Sequence, residues 1–173
     1  MIKIYIGAER KALVIHRHLL CSKFPYFKSY FHHFPSQLAE NSYQISEVNA
    51  DAEIFSLVVE FVYRGSLEIF NPGNFRGSGS RIRLIISRAI AVYCFAAELL
   101  MGAMMEYIMD ALVPIYCSNS LRPTVAEIKA AYRGTSEGNG LRRFMARSYQ
   151  YITLTSPDPP EIIVQTRGRH TND

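Results

Sequence analysis

The chain has 173 residues, of which 49% are hydrophobic and 20% are charged, and its formal net charge is +4. This balance predicts one domain with an apolar core and excludes a chain that is disordered over most of its length. Lysine and arginine are scattered along the sequence, so the basic stripe that is typical of a nucleic-acid-binding protein is not expected.

The first part of the chain predicts a small sheet with short helices. Alternating β-branched residues indicate a first strand, and a second strand follows a polar turn to complete a hairpin. A short helix is expected near Leu19, and Pro25 suits the first turn of the next helix, where its missing N–H costs nothing. The three strands are predicted over residues 2–6, 12–16 and 43–46.

The clearest helix of the sequence begins after Asp51 and runs to Tyr63. Asp51 is a capping residue, and Gly65 is a natural C-terminal stop. Apolar residues at spacings of three and four define one face of this helix. We therefore expect one shared core to bury Phe55, Val58, Val59 and Val62.

The second part of the chain predicts helices alone. Pro and Gly make residues 71–80 a flexible insertion, and helices are expected over about 81–97, 99–116 and 141–152. Thr124 and Glu127 match a capping box that opens a further helix. The composition changes at Ser156, which indicates a flexible tail. The expected organisation is one domain over residues 1–118, a helical extension over 119–155 and a tail over 156–173.

Four stretches of the sequence, in this order, resemble the BTB/POZ domain in its fungal form. Residues 2–7 are similar to the family's V-x-V-x-V-G opening strand. Residues 14–27, V-I-H-R-H-L-L-C-S-K-F-P-Y-F, are similar to its V-H-K-x-L-L-C-S-x-S-P-F-F signature. Residues 51–65 resemble its D-x-E-x-F helix, which ends in V-x-W-x-Y-x-G. Residues 93–100, Y-C-F-A-A-E-L-L, resemble its Y-x-L-A-E-K-L helix junction.

The resemblance implies an α+β fold, in which a small three-stranded sheet is capped by a cluster of helices and followed by a C-terminal helical extension. It implies that His16 is a partly buried structural residue that ties the hairpin to the next helix. It also places Arg17 at a basic position that lines a charged pocket in the family. The positions with structural roles in the matched motifs are His16, Leu20, Ser22, Phe55, Tyr63 and Gly65.

The resemblance further implies a protein–protein interaction module that is not an enzyme and that forms homo- or hetero-oligomers. The implied partners are a second copy of the chain, another BTB chain, or a cullin-type ubiquitin-ligase scaffold for which the chain would be an adaptor. The alternative is a nuclear, transcription-associated regulator that binds a co-repressor. No cofactor, nucleic acid or membrane partner is expected. The candidate partner-binding residues are Arg17, Phe27, Tyr30, Phe31 and Phe34.

Residues 24–34 hold more aromatic surface than one short helix can bury beneath itself, which indicates a partner site. The family's dimer is built around the first helices and is commonly completed by an N-terminal strand, which has no counterpart before residue 2. We therefore expect a homodimer that is weak or concentration-dependent.

Residue types that carry catalytic or metal chemistry do not converge in the sequence. His16 and His18 lack a third ligand nearby, so no metal site is expected. The cysteines form no C-x-x-C pair, which argues against a disulfide framework and favours an intracellular protein, cytoplasmic or nuclear. Arg142, Arg143 and Arg147 lie close together on the last helix and form either a solvated face or a site for an acidic partner.

Overall fold

The computed structural model describes residues 1–6, 11–33, 42–45, 51–75 and 78–155. Two short 3-10 turns, Glu68–Phe70 and Pro72–Phe75, lie between the third and fourth helices described below. The strands and α-helices, in chain order, are β1 (Ile2–Ile6), β2 (Lys11–Ile15), α1 (Arg17–Lys23), α2 (Pro25–His33), β3 (Ser42–Ile45), α3 (Ala52–Arg64), α4 (Gly79–Glu98), α5 (Gly102–Ser118), α6 (Val125–Gly134) and α7 (Gly140–Thr155).

The sheet has three strands in the order β2-β1-β3, with β1 at its centre. Strands β1 and β2 are antiparallel, whereas β1 and β3 are parallel. Side chains alternate across a strand, and Ile2, Ile4 and Ile6 all point into the core with no more than 1% of their surface exposed. The predicted α+β fold with a three-stranded sheet and packed helices is therefore confirmed.

Helix α3 begins and ends as its sequence predicts. The Asp51 carboxylate accepts a hydrogen bond of 2.7 Å from the Glu53 N–H, which satisfies a free donor of the first turn. Gly65 ends the helix in the left-handed conformation, at a φ of 70°, and its N–H donates to the Phe61 carbonyl. The capping residues therefore fix both ends of α3.

The apolar face of α3 packs into the common core. Phe55 and Val58 are fully buried and Val62 is 9% exposed, whereas Val59 is half-buried at the edge of the core. The Phe55 ring meets the Phe95 ring of α4 edge-on, with 5.8 Å between their centroids. Helix α3 therefore joins the sheet side of the molecule to the long helix α4.

Part of the segment that was predicted as a flexible insertion, residues 71–80, has regular structure. The Asn71 side chain accepts a hydrogen bond from the Gly73 N–H, and the Arg81 guanidinium donates to the Asn74 side chain at 2.9 Å. These contacts support a 3-10 turn, and α4 already begins at Gly79. Polar side chains therefore organise residues 71–75, although the Pro and Gly content of this stretch indicated a loop.

Helices α4 and α5 are joined by a tight turn at Leu100. The Leu100 N–H donates to the Ala97 carbonyl and the Met101 N–H donates to the Ala96 carbonyl, which is the Schellman pattern of helix ends. This pattern needs a left-handed residue, and Leu100 adopts a φ of 58°. A leucine therefore occupies a position that favours glycine.

The capping box predicted for α6 is confirmed: the Thr124 hydroxyl accepts from the Glu127 N–H, and the Glu127 carboxylate accepts from the Thr124 N–H. Helix α7 then follows a short turn. The expected flexible tail, residues 156–173, lies outside the described residues. Among the helices that the structure describes, none is both long and apolar enough to cross a membrane.

Candidate protein-interaction site

A single buried residue, Phe24, separates α1 from α2 and fixes the corner between them. Its N–H donates to the Leu20 carbonyl at 3.1 Å, and its carbonyl accepts from the Lys28 N–H at 3.0 Å. Pro25 occupies the first position of α2, where a missing N–H leaves no helical hydrogen bond unmade. The corner thereby orients the exposed sides of the two helices.

The buried side of α2 carries two of the residues that were predicted to bind a partner. Phe27 is fully buried and Phe31 is 3% exposed, and their rings stack with 6.1 Å between centroids. Both belong to the same core cluster as β1 and α3. The assignment of Phe27 and Phe31 to a partner surface is therefore corrected, because the domain's own core already covers them.

The outer layer of α2 is formed by Tyr26 and Tyr30, which we call the α2 tyrosine pair. Their rings stack at an interplanar angle of 20°, with 6.2 Å between centroids, and both side chains are partly exposed. Tyr30 also meets the buried Phe31 edge-on. Arg17 is exposed at the first position of α1, and Phe34 lies outside the described residues. Of the candidate residues, Arg17 and Tyr30 therefore remain accessible.

His16 and Tyr63 connect the start of α1 to the end of α3. The Tyr63 hydroxyl accepts a hydrogen bond of 3.1 Å from the His16 backbone N–H and lies 2.6 Å from the His16 ring Nδ1. His16 is exposed, although the resemblance implied partial burial. The contact therefore holds two helices together from the surface of the molecule.

The other positions of the matched motifs have local roles. Leu20 and Phe55 are fully buried, and Gly65 supplies the left-handed turn that ends α3. The exposed Ser22 hydroxyl donates to the Leu19 carbonyl within its own helix, at 3.3 Å. These positions shape the core and the helix ends.

A cleft of about 660 Å³ opens between the α1–α2 corner, the end of α3 and the start of α5. Phe61 and Met101 contribute to its apolar floor, and Leu100 stands at its side with 66% of its surface exposed. Lys23 and Arg64 add positive charge at the margin. We call this feature the α3–α5 cleft. The sequence did not indicate it, because its walls come from segments that are far apart in the chain.

Metal binding and thiol catalysis would each need suitable side chains among the described residues. Among them, no group of three or more His, Cys, Asp or Glu could hold a metal ion, and this includes His16 and His18. Burial, followed by the charge of Glu98, raises the pKa of the Cys94 thiol to about 11. At neutral pH this thiol is therefore protonated and a poor nucleophile.

The mixed sheet, the helical cover, the accessible tyrosine pair and the open cleft define an α+β domain that is suited to contacts with other proteins. Residues 2–77 match the family model of the BTB/POZ domain, and this part of the chain is a BTB/POZ domain. Such domains are protein–protein interaction modules that mediate dimerisation and are generally non-enzymatic. The search of curated proteins found no match to the chain.

Proposed function

We propose that this chain is an interaction module that self-associates through α1 and α2, with Arg17, Tyr26 and Tyr30 at the contact. The observation that carries this proposal is the accessible α2 tyrosine pair, which lies within the matched residues 2–77. The BTB/POZ match supports it, because dimerisation is a general activity of such domains.

The chemistry of the tyrosine pair favours a reversible contact. A tyrosine ring offers a large apolar surface with few rotatable bonds, so little conformational entropy is lost when it is covered. Its hydroxyl keeps the uncovered surface compatible with water. Because both rings are already partly buried against the hydrophobic core, the apolar area that remains for a partner is modest. The resulting dimer is weak and depends on protein concentration.

Paired variants test this proposal. Tyr30→Glu places a charge at the contact and should shift the chain from dimer to monomer by light scattering, while its circular dichroism stays that of the wild type. Tyr151→Glu is the matched control, because Tyr151 is an exposed tyrosine of α7 outside residues 2–77. Self-association that both variants retain, or that both lose, would contradict the assignment to α2.

We propose a cullin-type scaffold as a further partner, bound at the α3–α5 cleft. The apolar floor of the cleft and the cations at its margin, Lys23 and Arg64, fit an apolar side chain flanked by acidic groups. Exposed Leu100 is the natural anchor of such a contact. In this role the chain would be an adaptor of a ubiquitin ligase.

A purified cullin-type scaffold, immobilised on a sensor surface, tests this second contact. Leu100→Glu should abolish capture of the chain. Leu84→Glu should not, because Leu84 is comparably exposed, at 54%, but belongs to α4 and does not line the cleft. A wild-type chain that the scaffold fails to capture, or equal losses in both variants, would overturn the adaptor role.

A further inference from the structure

The last helix, α7, carries positive charge that nothing on the same helix balances. Residues 140–155 contain three arginines and no aspartate or glutamate. Arg142 has a structural task, because its guanidinium donates to the carbonyls of Tyr132 and Thr135 at the end of α6 and lies over the Tyr132 ring, 5.0 Å from its centroid. This leaves Arg143 and Arg147 as the remaining charges of the helix.

Arg143 and Arg147 are exposed on the outer side of α7. Within the part of the chain that the structure describes, neither guanidinium makes a hydrogen bond or an ion pair. The two charges stand one helical turn apart, about 6 Å along the axis, where like charges repel each other. Their placement therefore weakens the isolated helix instead of stabilising it.

Two exposed apolar side chains continue the same face. Tyr151 is 69% exposed and Leu154 is 77% exposed. At 100° per residue, Arg143, Arg147, Tyr151 and Leu154 all lie within about 80° of one another. The opposite side of α7 packs into the core through Leu141 and Met145, which are fully buried. We call the exposed stripe, defined by Arg143, Arg147, Tyr151 and Leu154, the α7 outer face.

We propose that the α7 outer face binds an acidic amphipathic helix of a partner protein. Charge complementarity assigns two carboxylates of the partner to Arg143 and Arg147, because each guanidinium can donate two parallel hydrogen bonds to one carboxylate. The neighbouring Tyr151 and Leu154 offer an apolar surface at helical spacing, which is the pattern of helix recognition. The binding is independent of residues 2–77 and of the self-association proposed above.

The same face fits a protein helix better than a nucleic acid. Nucleic acids derive their affinity from many phosphate contacts, whereas this face offers two guanidinium groups over a length of about 16 Å. Leu154 has no ring on which a base could stack. An aliphatic side chain beside two cations is instead matched by a segment that combines leucine with glutamate.

A synthetic peptide provides the probe. It is fluorescein-labelled, has about 20 residues so that it can form a helix when bound, and carries the pattern Leu-x-x-Leu-x-x-x-Glu-x-x-x-Glu, which mirrors the face in the antiparallel direction. Fluorescence anisotropy with the full chain should show binding that weakens as salt is added. Arg143→Glu/Arg147→Glu should weaken it about tenfold or more, and Leu154→Ser should weaken it severalfold.

The matched control is Lys129→Glu/Arg133→Glu on α6, since these two cations are also exposed, are also four residues apart and likewise make no ion pair with a described residue. This control should leave the affinity within about twofold. Equal losses in both double variants would show non-specific charge attraction and would overturn the proposal. Equal or tighter binding of a single-stranded oligonucleotide, with the same loss on α7, would also overturn it, in favour of a nucleic-acid surface.

The chain's own residues 156–173 are the other occupant that the experiment must separate, because Asp158 and Glu161 precede Ile162 and Ile163 in the sequence. Asp158→Asn/Glu161→Gln in the full chain should leave peptide affinity unchanged. A clear gain in affinity would show that these residues compete for the α7 outer face, and it would overturn the proposal of a separate partner.

Discussion

Two regions of the molecule are stabilised by different forces: the core around the sheet, and the contact of α6 with α4 and α5. Around the sheet, the contact is apolar: Phe24, Phe27 and Phe55 are fully buried and meet other rings and aliphatic side chains. At α6, by contrast, the contact centres on a carboxylate. Glu127 is 7% exposed, and its oxygens accept hydrogen bonds from the Arg83 guanidinium and the Tyr116 hydroxyl.

The difference shows how each contact obtains its specificity. Apolar burial has no preferred direction and depends on area and fit. A buried carboxylate is tolerated when its oxygens are paired, so Glu127 fixes α6 at one position against α4 and α5. Burial, with the Glu127 charge next to it, raises the pKa of Tyr116 well above its usual value, so this hydroxyl stays a donor. The α6 contact is therefore the more directional of the two.

The largest expected effect comes from the apolar region. Phe55→Ala removes a fully buried ring between α3 and α4 and should lower the free energy of unfolding by ~3–5 kcal/mol. Chemical denaturation measures it. Val59→Ala, on the same helix but half-buried, is the control and should cost less. An unchanged unfolding midpoint for Phe55→Ala would show that the assigned core is wrong.

A smaller loss of stability is expected at the contact of α6 with α4 and α5. Glu127→Ala leaves the Arg83 guanidinium and the Tyr116 hydroxyl without their acceptor and should cost ~2–3 kcal/mol, less than a fully buried ion pair because Arg83 is partly exposed. A double-mutant cycle with Arg83→Met measures how much of this loss comes from the ion pair. Additive losses in the cycle would mean that the two charges do not stabilise each other.

At the α4–α5 turn, a small gain in stability is expected. Leu100→Gly relieves a left-handed backbone that disfavours a side chain, and it should raise the unfolding free energy by about 1 kcal/mol or less, since glycine also loses more entropy on folding. Ser120→Gly, at the equivalent position after α5, should behave alike. A lower melting temperature for Leu100→Gly would show that the leucine side chain contributes more than the backbone strain removes.

Features set by neighbouring residues could be predicted from the sequence. The ends of α3 follow from Asp51 and Gly65, and the capping box follows from Thr124 and Glu127, because each signal lies within a few residues of the group that it satisfies. The three strands were found within one residue of their observed bounds by their alternation and their turns.

Features that depend on distant parts of the chain could not be predicted. The capping residue Glu127 also accepts from Arg83, 44 positions earlier, which no local pattern encodes. The sequence shows that α2 is rich in aromatic residues, but it does not show which of them are buried. Phe27 is buried and Tyr30 is partly exposed because of how α2 packs against the rest of the core. The break between α4 and α5 was predicted near residue 98, but the left-handed position of its turn, Leu100, was not indicated, because a leucine does not signal a left-handed residue.

We propose above that the chain associates with itself through its BTB/POZ domain. Sedimentation equilibrium of the wild-type chain over a wide range of concentrations tests it most directly. If the chain self-associates, the weight-average mass should rise continuously from the 19.7 kDa of the monomer towards twice that value. A mass that stays at 19.7 kDa up to the limit of solubility would contradict the claim.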